Sequence, residues 1–237
     1  MEIIHLTDIP STNDYLLGLN TEQDVVAVSD YQSHGKGMGG NRWESEAGKN
    51  LLFSILIHPT WLPVNKQYLL SMAEALALRS TLADIIPDVT IKWPNDIYWQ
   101  DKKISGTRID VNLHGPMLAD VVIGTGININ QREFFSDAPN PVSLCQITGR
   151  EYDRDAILQE ILSRFSPFLK QLEQGKYDEI VSLYHQHLYH RDGMHQYEDD
   201  NGPFMAAIDH VEPNGMLHLR LSDGTMRQYM FKEVRTN

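Results

Sequence analysis

Hydrophobic positions divide the first 190 residues into segments with helical or strand periodicity. Apolar stripes at helical spacing predict helices over residues 12–19, 66–86, 153–173 and 177–190. Ser11 precedes the first of these and suits an N-cap. Apolar and β-branched runs predict strands over residues 25–31, 50–57, 89–93, 97–99, 104–113 and 118–123. Because strands cluster between helices without regular βαβ alternation, we expect an α+β fold with a mixed or antiparallel sheet packed on helices.

The pattern changes after Asp192. Three β-like runs, over residues 203–211, 216–222 and 225–234, are separated by Pro-Asn-Gly and Ser-Asp-Gly turn signals. Such a meander has the size of a small barrel. We therefore expect two domains, a larger one over residues 1–190 and a small β-barrel over residues 191–237.

Charge and composition exclude several classes of protein. The chain carries 20 Lys and Arg against 32 Asp and Glu, with no basic stripe of the kind that binds nucleic acid. No apolar run is long enough to cross a bilayer, and the N-terminus lacks a signal-peptide pattern. The single cysteine, Cys145, excludes an internal disulfide and fits a reducing compartment. Together these features predict a cytoplasmic protein that binds neither nucleic acid nor membrane.

A glycine cluster, GKGMGG over residues 35–40, follows the strand that ends near residue 31. It matches G-x-G-x-x-G literally, but no helix or ribose-binding acid follows, so a dinucleotide fold is unsupported. A Walker loop fails for want of a Ser or Thr after Lys. What remains is a loop whose backbone N–H groups, with Lys36 and Arg42, could surround an anion, or a flexible surface loop.

Two further segments carry chemistry. In Lys92-Trp-Pro-Asn-Asp96 a lysine lies in a stiffened turn, which suits the point charge needed where a carboxylate meets ATP. Asp96 could orient Lys92 or help to hold Mg²⁺, whereas a tight strand turn would explain only the last three residues. Gly124-Thr-Gly-Ile-Asn128 places two glycines in an apolar strand, which indicates a bulge or the close approach of a ligand.

At these segments the chain resembles the biotin protein ligases. That family's motifs run S-T-N, a glutamine, G-R-G-R-x-G-R-x-W, K-W-P-N-D, K-x-x-G and G-x-G-x-N. Here they appear in order as Ser11-Thr-Asn13, Gln32, GKGMGGNRW, KWPND, Lys103-Ile-Ser-Gly106 and Gly124-Thr-Gly-Ile-Asn128. The match spans nearly the whole chain. The family's first loop arginine is Lys36 here, and its second and third are replaced by Met38 and Asn41.

The resemblance implies a class II synthetase-like catalytic domain with an SH3-like C-terminal barrel. It implies that the enzyme makes biotinyl-5′-AMP from biotin and ATP with Mg²⁺, then biotinylates a lysine of a carboxylase's biotin carboxyl carrier domain. We expect a monomer or a weak homodimer. The implied residues are catalytic Lys92 and Lys36; for biotin Ser11, Thr12, Asn13, Gln32, Gly35, Lys36, Lys92 and Gly106; for the nucleotide Gly37, Met38, Arg42, Trp43, Asn95 and Asn128; and for metal Asp96.

Three alternatives stay open. A lipoate or octanoate ligase of related fold would need an R-R-x-S-G-G-G-type loop, which is absent. A repressor with an N-terminal helix-turn-helix is disfavoured, because S-T-N begins at residue 11. A catalytically weak biotin-binding protein is conceivable because of Met38. The histidines at 185, 187, 190 and 195 lack a metal-ligand spacing and are interpreted as helix-surface residues.

Overall fold

The computed structural model describes residues 1–135 and 140–236, and its larger part is a seven-stranded mixed sheet. The strand order is β1-β2-β3-β7-β6-β5-β4. Only the outer pair, β1 with β2, is parallel among the described pairings; all others in this sheet are antiparallel. The strands are β1 (Glu2–Ile9), β2 (Val25–Gln32), β3 (Leu51–Ile57), β4 (Val89–Lys92), β5 (Asp96–Trp99), β6 (Lys102–His114) and β7 (Met117–Ile127).

Helices cover the two faces of this sheet unequally. On one face α2 packs against the sheet and, on its other side, against α4 and α5, so α2 is buried on most of its surface. On the other face α1 covers a small apolar cluster around Leu16 and Val122 and leaves the neighbouring strands open. The helices are α1 (Thr12–Leu17), α2 (Tyr68–Ala83), α3 (Leu144–Thr148), α4 (Arg154–Glu173) and α5 (Tyr177–Gln186).

A second, antiparallel sheet of five strands follows α5, in the order β11-β10-β9-β8-β12. Hydrogen bonds tie it to the first part of the chain. The indole N–H of Trp93 donates to the carbonyl of Gly215 at 3.0 Å, and His185 accepts from the N–H of Val211 at 2.9 Å. The strands are β8 (His195–Asp199), β9 (Gly202–Val211), β10 (Leu217–Leu221), β11 (Met226–Tyr229) and β12 (Arg235–Thr236).

The predicted α+β class with a mixed sheet is confirmed, and most predicted elements are present with shifted ends. Sequence patterning missed β1, α3, β8 and β12. The helix predicted to reach residue 190 ends at Gln186, because the chain then pairs with β4: the N–H of Ile91 donates to His187 and that of Tyr189 donates to Ile91. The SH3-like form of the small sheet and the division at residue 190 stay predictions. Among the described helices, none is long and apolar enough to cross a bilayer.

Candidate active site

A cleft opens on the uncovered face of the large sheet, beside the start of α1. Three regions meet there: the N-terminus of α1, the glycine loop that joins β2 to β3, and the middle of β6 and β7. The cleft is lined by Ser11, Thr12, Asn13, Gln32, Lys36, Gly37, Met38, Trp43, Phe53, Asn95, Lys103, Gly106, Thr107, Arg108, Gly124, Thr125 and Gly126.

One end of the cleft is polar but uncharged. Ser11 caps α1 by accepting from the N–H of Asp14, which fixes the helix start against the sheet. The side-chain carbonyl of Gln32 accepts from the backbone N–H of Thr12 at 2.6 Å and from its hydroxyl at 3.1 Å. The hydroxyl of Ser54 lies 2.6 Å from the hydroxyl of Thr12. These mutual contacts hold neutral donors and acceptors in place for a ligand.

The floor of the cleft is made of glycines on adjacent strands. Gly106 on β6 faces Gly126 on β7, and Gly124 lies two residues before Gly126 on the same side of the strand. A Cβ at Gly124 would collide with the Asn13 amide, and one at Gly126 would collide with the Trp43 indole. The glycines therefore admit these two side chains, which corrects the expectation that a ligand itself makes the close approach.

Trp43 lies on this floor with an unused donor. Its indole Nε1 is buried and has no hydrogen-bond partner within the described part of the chain. The ammonium of Lys103 lies 5.9 Å from the centre of its ring. Because buried indole N–H groups normally find an acceptor, this one is suited to an oxygen or nitrogen acceptor of a bound ligand.

The cleft also carries three cations, each paired with a carboxylate. Lys103 pairs with Asp96 at 2.7 Å, Lys36 with Asp14 at 2.7 Å, and the Nη2 of Arg108 with Asp110 at 2.7 Å. The Lys36 pair is nearly half exposed at the rim, whereas the other two lie deeper. The carboxylates orient the cations before any anion arrives, which is the preorganisation that stabilises developing negative charge.

Arg108 also joins the sheet to the glycine loop. Its Nη1 donates to the carbonyl of Gly37 at 3.3 Å, while its Nε and Nη2 donate to Asp110. Burial opposes ionisation of Asp110, but hydrogen bonds from Arg108 and Asn13 outweigh it and lower the pKa of this carboxyl. The motif pattern did not point to Arg108 or Asp110. Arg108 and Asp110 follow Gly106 at alternate positions of β6 and so lie on the same side of the strand. That spacing was the sequence signal that could have identified them.

The structure does not bring Lys92 into this cleft. Its ammonium lies 4.6 Å from the centre of the Tyr98 ring and 3.3 Å from the Tyr98 hydroxyl, and burial lowers its pKa. Lys92 therefore does not line the cleft, and its expected position at the reacting carboxylate stays a prediction. In the β4–β5 hairpin Lys92 is the cross-strand partner of Asp96, and its side chain extends toward the tyrosines. The lysine that lines the cleft is Lys103, from the K-x-x-G motif.

Asp96 lies between two lysines. It is paired with Lys103; burial raises the pKa of its carboxyl, and the charges of Lys103 and Lys92 counteract that rise. The carboxylates of Asp14 and Asp110 beside the cleft are also paired with cations. Mg²⁺ commonly keeps waters and binds through one or two carboxylates and substrate phosphates, so the role of Asp96 as a metal ligand stays a prediction.

The remaining predicted residues divide into two groups. Three do not line the cleft: Gly35 is buried under the backbone of Trp43, Arg42 is exposed, and Asn128 is buried behind the end of β7. The others line the cleft, and what they bind stays a prediction. These are Ser11, Thr12, Asn13, Gln32, Lys36, Gly37, Met38, Trp43, Asn95 and Gly106.

Glu74 is a buried carboxyl that sequence reasoning did not detect. It lies on α2 and accepts from the hydroxyls of Thr107 and Thr125, which belong to the strands that form the cleft. Desolvation raises its pKa to about 7, and the two hydroxyl donors only partly oppose that rise. Within an apolar helix stripe, the single glutamate was the only sequence signal.

A second cavity of about 270 Å³ adjoins the cleft and shares Met38, Asn95 and Thr107 with it. Tyr68 on α2 and Trp93 in the β4–β5 hairpin form one wall with their aromatic rings. The small sheet's turns contribute the opposite wall. The further lining residues are Gln67, Ser71, Pro94, Ile109, Val111, Asn214, Gly215, Met230 and Phe231. Its largely apolar walls suit a flat ring system.

Comparison with known proteins agrees with this arrangement. The sequence pattern of the biotin/lipoate A/B protein ligase family matches residues 5–128, just over half of the chain. The chain belongs to this family. The matched segment contains the S-T-N, glycine-loop, KWPND, K-x-x-G and G-x-G-x-N motifs, so the resemblance inferred from them is confirmed.

Individual members extend the match beyond that segment. The bifunctional ligase/repressor BirA of Bacillus subtilis is 26% identical over 230 residues, which cover 94% of this chain and 70% of BirA. The biotin–[acetyl-CoA-carboxylase] ligase of Mycobacterium tuberculosis is 28% identical over 142 residues, covering 58% of this chain and 51% of the relative. The biotin protein ligase of Aquifex aeolicus, solved with biotin and ATP, superposes with a TM-score of 0.83, 26% identity and coverage of 100% and 99%.

Proposed function

We propose that this member of the family is an ATP-dependent biotin protein ligase. In the first step a biotin carboxylate oxygen attacks the α-phosphorus of ATP, and the bond to pyrophosphate breaks. In the second step a lysine amine of a carrier protein attacks the acyl carbon of biotinyl-5′-AMP. An amide forms, the amine loses a proton, and AMP leaves.

The observation that carries the proposal is that one cleft holds both neutral hydrogen-bonding groups and paired cations. Thr12 and Gln32 supply the neutral groups, and Lys103 and Arg108 supply the positive charge. Biotin requires both kinds of partner, because it has a neutral ureido ring and a carboxylate joined by an apolar chain. The indole of Trp43 offers apolar surface for that chain.

The second cavity suits the adenine of ATP. It meets the cleft at Met38, Asn95 and Thr107, so a nucleotide with its base between Tyr68, Trp93 and Phe231 would direct its α-phosphate toward Lys103 and Arg108. Stacking on aromatic rings is the common way to hold a base without reading its edge. We assign Mg²⁺ to the phosphates of ATP rather than to Asp96, since Asp96 already pairs with Lys103.

Lys103 is our candidate for the charge between the two reacting anions. A compact ammonium that is held by Asp96 can contact both the carboxylate and the α-phosphate. Met38 stands where the family carries an arginine, and Arg108 supplies a guanidinium to the same boundary from β6. The adenylate is therefore retained by a cation from the sheet where relatives use one from the loop.

The acceptor in this proposal is a lysine of a carboxylase's biotin carrier domain. The name of the Mycobacterium tuberculosis relative, a biotin–[acetyl-CoA-carboxylase] ligase, supports that class of acceptor. The exposed rim at Lys36 and Asp14 leaves the cleft accessible to an incoming lysine.

The test is pyrophosphate exchange into ATP with biotin or lipoate as the acid. Biotin should drive exchange about 10²-fold or more faster, because lipoate leaves the hydrogen-bonding groups around Thr12 and Gln32 unpaired. Omission of acid gives the background. Equal exchange with the two acids would exclude biotin specificity, and exchange with lipoate alone would make the chain a lipoate ligase.

A further inference from the structure

Three metal-binding side chains converge on the small sheet, outside the proposed active site. His210 and Glu212 lie two residues apart at the end of β9, and His218 on β10 is the cross-strand partner of His210. One ligand atom from each of the three lies within 4.8 Å of the others. His218 is buried, whereas His210 and Glu212 are partly exposed, so the group is accessible from one side.

The side chains around this group are oriented for coordination. The Nδ1 of His210 lies 2.8 Å from Asp209, and since an ionised carboxylate only accepts, Nδ1 carries the proton and Nε2 is left for another partner. This is the carboxylate–histidine arrangement found behind metal-bound imidazoles. By the same rule the Nε2 of His218, 2.6 Å from the carboxylate of Glu212, donates a hydrogen bond to it, and an ion bound between these two groups displaces that proton.

The two imidazoles are stacked, with centroids 4.0 Å apart and planes 18° from parallel. Imidazole nitrogens are common ligands of first-row divalent cations, and the stack holds two of them on one side of the sheet. Two bonds of about 2.1 Å span at most about 4.2 Å. The exposed side chains of His210 and Glu212 therefore need only small rotations to reach a common ion.

We propose that His210, Glu212 and His218 bind one Zn²⁺ or a similar first-row divalent cation. Two imidazoles and a carboxylate form a ligand set typical of zinc, with a fourth position open to water or another ligand. Mg²⁺ prefers oxygen ligands and does not suit this set. The site is therefore chemically distinct from any magnesium that accompanies ATP.

The site lies at the base of a turn that reaches the second cavity. The N–H of Glu212 donates to the carbonyl of Met216 across this turn, and Gly215 at its tip accepts from Trp93. Asn214 and Gly215 line the second cavity. An ion that joins Glu212 to His218 cross-links the two ends of the turn and stabilises the folded small sheet by mass action.

The test is a titration of chelator-treated full-length protein with Co²⁺, followed by visible absorption. We expect one equivalent to bind with the spectrum of a nitrogen- and oxygen-ligated ion, displacement by Zn²⁺, and no displacement by millimolar Mg²⁺. Glu212→Gln, which keeps a hydrogen bond to His218, and His210→Ala should each weaken binding at least about tenfold. Asp209→Asn should weaken it about tenfold by releasing His210.

His195→Ala is the matched control. His195 stacks on His190 at 3.8 Å in a second imidazole pair, and its replacement should leave Co²⁺ affinity unchanged. Zn²⁺ should raise the thermal midpoint of the wild type and not that of Glu212→Gln. No saturable Co²⁺ binding, or equal binding in wild type, Glu212→Gln and His210→Ala, would overturn the proposal. None of these measurements requires biotin or ATP, so the result is independent of the proposed function.

Discussion

Lys92 and Lys103 are two half-buried lysines that differ in what surrounds their ammonium groups. Lys103 lines the cleft and pairs with Asp96, whereas Lys92 lies over the ring of Tyr98. Both belong to motifs, and both lie near Asp96. Their roles are decided by side-chain direction, which makes them a matched pair for mutagenesis.

Lys103→Ala should reduce biotin-dependent pyrophosphate exchange by a factor on the order of 10² or more, as expected for loss of a transition-state charge partner. Lys92→Ala should reduce it less than about threefold, because its ammonium does not reach the cleft. Thermal unfolding of both variants controls for loss of folded protein. The reverse order of effects would restore Lys92 as the reacting lysine.

Glu74 makes stability depend on pH with a defined sign. Its pKa rises from 4.5 in the unfolded chain to about 7 when folded, so the folded protein binds the extra proton between these values. The free energy of unfolding therefore falls as pH rises from about 4.5 to 7, by about 3 kcal/mol from this group. Below pH 4.5 and above pH 7 the contribution of Glu74 is constant.

Glu74→Gln should remove that dependence. The difference in unfolding free energy between variant and wild type should shift in favour of the variant as pH rises from 5 to 8, measured by denaturant titration. The exposed Glu173→Gln on α4 is the control and should show no such trend. A difference between Glu74→Gln and wild type that is flat across this range would show that Glu74 is not protonated in the folded protein.

At the scale of elements, β6 and β7 have two faces with different tasks. Thr107 and Thr125 bond to Glu74 on α2, while the alternating positions Gly106, Gly124 and Gly126 form the cleft floor. The pairing of β6 with β7 thus positions both the threonines that bond to Glu74 and the glycines that form the cleft floor. A glycine here is required by space, because none of these three has a positive φ.

Gly126→Ala should displace the Trp43 indole from the floor. The added Cβ would fall 2.8 Å or less from ring atoms that are packed against the sheet, and biotin affinity should drop about tenfold or more. Gly18→Ala is the control, since the nearest atom to its new Cβ is 3.5 Å away.

A double-mutant cycle isolates the cause. In a Trp43→Ala background Gly126→Ala should cost much less biotin affinity than in the wild type, because the indole that collides with the new Cβ is absent. Additive losses in titration calorimetry would mean that Gly126 acts on biotin binding by another route.

At the scale of the whole molecule, the small sheet contributes to the site through the second cavity. Phe231, Met230 and the turn at Asn214 and Gly215 face Tyr68 and Trp93 across it. Trp93 belongs to the KWPND motif and donates to Gly215. The KWPND motif therefore has two roles. Trp93 connects the two sheets, and Asp96 pairs with Lys103.

Phe231→Ala should raise the KM for ATP about tenfold while it leaves the KM for biotin nearly unchanged, because loss of a stacking ring costs about 1–3 kcal/mol per base. Met226→Ala, an exposed side chain on the same small sheet, is the control. Equal increases in both KM values would mean that Phe231 stabilises the fold rather than binds the adenine base. Circular dichroism of the variant would then show a loss of folded structure.

Motifs and apolar periodicity are enough to identify the family, the class of fold and the segments that form the cleft. Motifs such as KWPND and G-x-G-x-N combine residues that the local geometry requires with residues that carry a polar or charged group. Apolar periodicity indicates which face of an element is buried. Both kinds of pattern can be interpreted from neighbouring residues alone. Ser11, Thr12, Gln32 and Trp43 were found in this way. Elements with weak periodicity, such as β1 and β12 at sheet edges, were missed because edge strands need little apolar patterning.

Which charged groups meet depends on how distant elements pack against one another. Lys92 and Lys103 are equivalent as sequence features, and the choice between them depends on the direction in which each side chain leaves its strand. The pairing of Arg108 with the glycine loop, of Glu74 with two threonines, and of the small sheet with KWPND joins residues that are 33 to 122 positions apart. Contacts over such separations depend on how whole elements pack, and no local pattern records them.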